Sequence, residues 1–188
     1  MQTFSEYILN EKDFNRKIEI MIYAAKKAPI FFDKSVIFKT IIAKLFIETM
    51  KLDVDENLVL TACLLYACKK TNDAQSLDKV RTYGKESANY LLRLGFPERF
   101  CKICLEHNRY NESKKREKES DILELVDQFG GMMLDREERR GFPIDEAIVL
   151  LEHRNLKDCN NIYLEKFREF INNEMEIIVW LVKEDFLI

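Results

Sequence analysis

The sequence predicts an all-α domain, and three observations lead to that prediction. The chain has 188 residues, enough for one domain with a sizeable core and too few for two ordinary ones. It contains only 5 glycines and 3 prolines, fewer turn-forming residues than an all-β chain of this length needs. Apolar residues recur mainly at helical spacing. We therefore expect a single-domain helical bundle over residues 1–188, with roughly seven to nine helices.

The first half of the chain is predicted to hold three helices, over residues 13–28, 34–50 and 56–70. Pro29 ends the first helix, and Asp55 is a suitable N-cap for the third. The third helix is apolar on nearly every side, which predicts a central place in the core.

Five further helices are predicted in the second half. Their ranges are 76–94 with a break near residue 84, 98–108, 120–140, 144–153 and 161–185. Gly-Phe-Pro at residues 95–97 and again at 141–143 punctuates them, because glycine ends helices and proline begins them. The polar segment 111–118 is predicted to be a loop.

Composition also limits the classes of function and location. A net charge of −3 argues against a nucleic-acid partner. The five cysteines are an odd count without disulfide-framework spacing, which predicts reduced thiols and a cytoplasmic protein. No basic and apolar leader begins the chain, and the longest apolar run, residues 177–182, is too short to span a bilayer.

Histidine and glycine usage excludes several kinds of site. His107 and His153 are the only histidines, so one chain cannot supply three histidine ligands to one metal. The only adjacent glycines are Gly130 and Gly131, and neither a Walker loop nor a Rossmann fingerprint is present.

The spacing Cys101-x-x-Cys104-x-x-His107 suggests metal ligation at first sight. On one helix, however, each three-residue step turns about 60° around the axis, so the three side chains diverge. We therefore expect buried structural cysteines here, with metal or redox chemistry as the alternatives. Met132 and Met133 are likewise expected in the core.

Asp127 lies in an otherwise apolar stretch of a predicted helix. A carboxylate on such a stripe needs a polar partner or a metal. A satisfied polar residue at a helix–helix junction is the first expectation, and a metal ligand is the alternative. The basic run 114–116 is expected to be a solvated loop, with a phosphate grip as its alternative, because acids interleave it.

The order of segments resembles the HD-domain phosphohydrolases, especially the HD-GYP subgroup. The sequence LVD at 125–127 lies at the V-A-D position of that family, and DEA at 145–147, after Pro143, is similar to its next helix start. Asp135-Arg136 looks like a shifted counterpart of the later acid and arginine. Upstream, LLYACKK at 64–70 resembles L-L-H-D-I-G-K, and CLEHNRY at 104–110 resembles the H-H-E-R-W segment. The resemblance implies an HD-like core over residues 30–170, with 171–188 as the end of a C-terminal helix.

The chain departs from the family at the metal ligands. The His-Asp pair is replaced by Tyr66-Ala67, and the first family histidine falls near Ser35. The residual family-site positions are Lys70, Glu106, His107 and Asp127. In the family, metal-activated water attacks the phosphodiester. The thin ligand set therefore predicts no catalytic residues, no metal and no cofactor.

The leading hypothesis is a non-catalytic, degenerate HD-like domain that acts as an interaction or regulatory module. One alternative is a divergent metal-dependent phosphohydrolase for a nucleotide or cyclic dinucleotide, with Glu106, His107 and Asp127 aided by Asp73 or Glu86. A second alternative is a non-hydrolytic nucleotide sensor that uses Lys70 and Arg109. Packing on the same chain is the first expectation for the apolar C-terminal helix, and a protein partner or self-association, most simply tested at Trp180, is the alternative.

Overall fold

Every regular element in the described part of this computed structural model is an α-helix, as the sequence predicts. The structure describes residues 2–70, 77–107, 116–136, 139–156 and 161–183. The helices are α1 (Phe4–Asn10), α2 (Phe14–Lys27), α3 (Lys34–Thr49), α4 (Glu56–Leu65), α5 (Leu77–Arg93), α6 (Glu98–Glu106), α7 (Lys118–Met133), α8 (Ile144–Leu156), α9 (Leu164–Asn173) and α10 (Met175–Lys183). These ranges hold ten helices, so the expected seven to nine was too low.

The N-terminal helix α1 was not predicted, although its start carries a recognisable signal. The Thr3 hydroxyl accepts from the Glu6 amide at 3.3 Å, and the Glu6 carboxylate accepts from the Thr3 amide at 2.8 Å. This reciprocal capping box satisfies two amides that a helix start otherwise leaves without partners. The T-x-x-E spacing at residues 3–6 was therefore sufficient to indicate a helix.

The predicted helix over 161–185 was wrong in its continuity. The structure divides it into α9 and α10, which meet at Glu174. Both helices contribute to the core: Phe167, Phe170 and Ile171 of α9 are buried, as are Ile178 and Leu181 of α10.

Other predicted helix boundaries also differ from those in the structure. Helix α4 ends at Leu65 rather than residue 70, and α5 continues through the expected break at Gly84. Helix α7 ends at Met133 rather than residue 140. There, Arg139 reaches back to donate to the carbonyl of Gly131 at 2.5 Å, so a side chain caps the end of α7.

The core forms around α4, as its all-round apolar sequence predicted. Its residues from Val59 to Leu65 are buried, and α3 and α7 pack against it. The Asp55 carboxylate accepts from the Leu58 amide at 3.0 Å, which confirms the predicted N-cap. Met132 and Met133 are also buried, as expected.

Four cysteines of the described residues are free thiols in the interior: Cys63, Cys68, Cys101 and Cys104. Burial raises the pKa of Cys68 to about 11. The thiols are thus protonated at neutral pH, in keeping with the expected structural role. None of the helices in the described ranges has the length and apolar character needed to cross a membrane.

Candidate functional site

A buried polar cluster joins α3, α7 and the C-terminal end of α4. The Lys39 ammonium on α3 lies 2.7 Å from the Asp127 carboxylate on α7. The Tyr66 hydroxyl accepts from Lys39 at 3.0 Å and donates a short hydrogen bond to the same Asp127 oxygen. We call Lys39, Tyr66 and Asp127 the Lys–Tyr–Asp cluster. It confirms that Asp127 is a satisfied polar residue at a helix–helix junction.

The packing of α3 on α7 places Lys39 next to Asp127. A Cβ atom on Gly130 would stand 2.5 Å from Lys39 Cγ, so the lysine stem lies directly against the glycine backbone. Gly130 follows Asp127 by three residues and therefore shares its side of α7. This glycine gives the lysine the space it needs to reach the carboxylate.

The cluster holds Asp127 in its ionised form. Burial alone would raise the pKa of the carboxyl, but the Lys39 charge and the hydrogen bonds from Lys39 and Tyr66 outweigh it. The pKa of Asp127 therefore lies well below its ordinary value. Burial and the neighbouring carboxylate raise the pKa of Tyr66 well above its ordinary value, so the phenol keeps its proton.

His107 is buried beside this cluster, and both of its ring nitrogens have protein partners. Nδ1 lies 2.5 Å from the Cys104 carbonyl oxygen and must donate to it, because a carbonyl only accepts. Burial lowers the pKa of His107, so the ring is neutral and Nε2 is an acceptor. The Tyr83 hydroxyl, 3.2 Å away, supplies the matching donor. The edge of the ring also meets Tyr66, with centroids 4.6 Å apart.

Glu106 is also buried, but its carboxylate forms hydrogen bonds at the start of α7. Its Oε2 accepts from the Glu117 amide at 3.1 Å and lies 3.5 Å from the Ser120 hydroxyl. Both partners stand at the start of α7, where backbone amides and the helix dipole favour an anion. Glu106 therefore stabilises the α6–α7 junction, and the structure does not bring its carboxylate to Asp127.

Lys70 and Arg136 lie near the Lys–Tyr–Asp cluster. The Lys70 ammonium is 5.1 Å from the Phe31 ring centroid, and burial followed by the Lys39 charge lowers the pKa of Lys70. The Arg136 guanidinium covers Gly131, where a Cβ would stand 2.9 Å from its Nη2. The adjacent glycines 130 and 131 thus each make room for a cationic side chain.

The other residues predicted for the site are Glu86, Asp73, Arg109 and the basic run 114–116. Glu86 is exposed on α5, while Asp73 and Arg109 lie outside the described residues. Residues 114 and 115 of the basic run also lie outside them. The side chain of Arg116 is only 7% exposed and lies 3.1 Å from Asp121 and 3.2 Å from Glu124, so the expectation of a solvated residue was wrong there.

The side chains described here do not fit the divalent metal that the family resemblance implies. Asp127 is neutralised by an ammonium, both nitrogens of His107 are engaged, and Glu106 serves α7. Within the described ranges, no three His, Cys, Asp or Glu residues are grouped so that they could hold an ion. A divalent ion needs several such donors converging on one point.

Lys39 is the residue of this cluster that the sequence analysis missed. A signal for it was present: the residues at helical spacing around it, Val36, Ile42, Ala43 and Phe46, are all apolar and buried. The rule that drew attention to Asp127, a charge on an apolar stripe, applies equally to Lys39.

Comparison of the chain with known proteins finds no match. No family model matches the chain, and neither a curated protein nor a solved structure matches it.

Proposed function

We propose that the chain is a non-catalytic, degenerate HD-like helical domain that acts as an interaction or regulatory module. The observation that carries the proposal is the Lys39 ammonium on Asp127, 2.7 Å from the carboxylate. Asp127 occupies the family's V-A-D position, where the resemblance would place a metal-binding acid. The lysine ammonium supplies positive charge there, without the open coordination positions at which a metal activates water.

The replaced family ligand supports the same proposal. Tyr66 stands where the family has the histidine of its His-Asp pair, and its hydroxyl donates to Asp127. A phenol that keeps its proton is a hydrogen-bond donor to a carboxylate rather than a metal ligand. The cluster therefore has the character of a structural polar junction between α3, α4 and α7.

Metal content and turnover test the non-catalytic part. Protein purified without chelators is expected to contain no stoichiometric Fe, Mn, Zn or Mg, and to leave a panel of nucleotides and cyclic dinucleotides intact with each metal added. Asp127→Asn provides the matched control, since it removes the carboxylate and keeps the shape. Stoichiometric metal, or turnover that disappears in Asp127→Asn, would refute the proposal and favour the divergent phosphohydrolase.

The interaction part rests on the exposed side of α10. Trp180 and Ile177, three residues apart and so on one side of α10, leave 55% and 37% of their surfaces exposed, although both are large and apolar. Exposed aromatic and aliphatic groups on one helix are typical of a contact surface. We propose self-association through this side of α10.

Light scattering across a concentration series tests this surface. We expect an assembly larger than the monomer for the native chain, and monomer mass for Trp180→Glu. Val149→Glu is the matched control, because Val149 is 63% exposed on α8 and receives the same change. Equal masses for the native chain and Trp180→Glu would remove the basis for self-association.

One observation favours the nucleotide sensor as a second candidate. Burial first, and then the charges of Lys39 and Arg136, lower the pKa of Lys70, which places these three cations near the two carboxylates of Asp127 and Asp33. This excess of positive charge suits a phosphate group. A nucleotide thermal-shift screen should raise the Tm of the native chain without hydrolysis, and less so for Lys70→Gln than for the neighbouring Lys69→Gln. A flat screen would exclude this candidate.

A further inference from the structure

An apolar cavity of about 670 Å³ lies between α1, α2 and α5. None of the residual family-site positions lines it. Its volume falls within the roughly 300–1,000 Å³ of typical small-molecule sites. Four aromatic side chains line it, Phe4 and Tyr7 from α1, Tyr23 from α2 and Tyr90 from α5. Tyr7 and Tyr23 leave 41% and 66% of their surfaces exposed, so apolar surface remains for an occupant to cover.

The shape of the cavity follows from one stripe of α2. The lining residues of this helix run from Arg16 to Lys27 at steps of three and four, which keeps them on one side. The eleven residue steps from Arg16 to Lys27 extend about 16 Å along the helix. Ile20 and Ala24 form the apolar middle of the stripe. The stripe therefore offers an extended apolar surface that suits a chain-like occupant.

Charge distinguishes the two ends of that stripe. At one end, Arg16 donates to Glu19 at 2.8 Å and is also near the Tyr7 hydroxyl, so these charges offset each other. At the other end, the Lys27 ammonium stands 5.8 Å from the Tyr23 ring centroid. No carboxylate of the described residues makes an ion pair with it. Among the described residues, the lining therefore carries one positive charge without an ion-pair partner.

We propose that this cavity binds a long-chain carboxylate, with the alkyl chain along α2 and the anionic head at Lys27. The apolar walls would cover the chain, while the carboxylate would keep contact with both the ammonium and water at the open rim. The site is independent of the Lys–Tyr–Asp cluster, so this proposal and the proposed function can fail separately.

Isothermal titration of the full chain with dodecanoate, below its micelle concentration, tests the proposal. We expect one molecule bound per chain, and weaker binding of the uncharged dodecanol. Ala24→Trp fills the cavity and should abolish binding. Lys27→Gln should weaken binding about threefold to fivefold, the size of a partly exposed ion contact. The matched control Lys26→Gln should bind like the native chain, because Lys26 is exposed on the same turn and does not line the cavity.

Several results would overturn the proposal. No measurable binding of dodecanoate would do so, as would unchanged binding in Ala24→Trp once circular dichroism has shown that this variant is folded. If dodecanol bound as tightly as dodecanoate, or if Lys26→Gln and Lys27→Gln weakened binding equally, Lys27 would not recognise the carboxylate and that part of the proposal would be wrong. A chain dimer that Ala24→Trp dissociates would mean that a second copy, and not a lipid, covers the cavity.

Discussion

Replacing Lys39 by methionine should destabilise the fold through the charge it leaves behind. Lys39 exposes 6% of its side chain and Asp127 24%, so the pair is largely removed from water. At 2.7 Å, attraction between unit charges is about 6 kcal/mol for an effective dielectric constant of 20. The cost of desolvation offsets part of this. Breaking such a pair typically costs about 3–5 kcal/mol, and the partial exposure of Asp127 places our expectation near 3 kcal/mol.

The loss should depend on pH in a particular direction. In the native chain the pKa of Asp127 is lowered, so its ionised form stabilises the fold above the ordinary aspartate pKa. That contribution is lost as the pH falls through the lowered value. Without Lys39, burial dominates and should raise the pKa of Asp127 above the ordinary value. Acidification would then protonate Asp127 in the Lys39→Met variant and remove the unpaired charge. The difference in unfolding free energy between the native chain and the variant should therefore narrow at low pH.

Urea unfolding of both chains at pH 7 and pH 4.5 measures this gap. Lys44→Met is the matched control on α3, because Lys44 is 30% exposed and pairs with exposed Glu48. Its cost should stay within about 1 kcal/mol. The reasoning would be refuted if Lys39→Met cost no more than Lys44→Met, or if the gap did not narrow on acidification.

Three other substitutions test neighbouring features by urea unfolding. Gly130→Ala should cost about 1–3 kcal/mol despite better helix propensity, because the new Cβ would stand 2.5 Å from Lys39 Cγ; a gain in stability would contradict this close packing. Burial lowers the pKa of Lys17 to about 8, so folding disfavours its charge, and native stability relative to Lys17→Met should rise by up to about 3 kcal/mol between pH 8 and 10.5. A constant difference over that range would contradict it. Gly141→Ala should also destabilise by about 1–3 kcal/mol, since its Cβ would stand 2.1 Å from the Met133 carbonyl oxygen; an unchanged midpoint would contradict it.

The sequence indicates which residues of the candidate site need polar partners, but not which residues those partners are. The position of Asp127 on an apolar stripe predicts a polar partner, and the position of Lys39 on its own helix predicts the same. Nothing local indicated that these two residues, 88 positions apart, would satisfy each other. Likewise, the positions of Glu106 and His107 in the sequence suggested one shared site. Helix α6 ends at Glu106. The side chain of Glu106 contacts the start of α7, whereas that of His107 contacts Tyr66 and Tyr83.

The sequence by itself determined the helical class, the central α4, the Asp55 cap and the inward-facing cysteines. These features depend on apolar spacing and on contacts within a few residues, which are readable along the chain. Tertiary structure decided the division of the last predicted helix, the partner of Asp127 and the cavity along α2. Each of these depends on which helix faces which, and that is set by packing whole surfaces against one another.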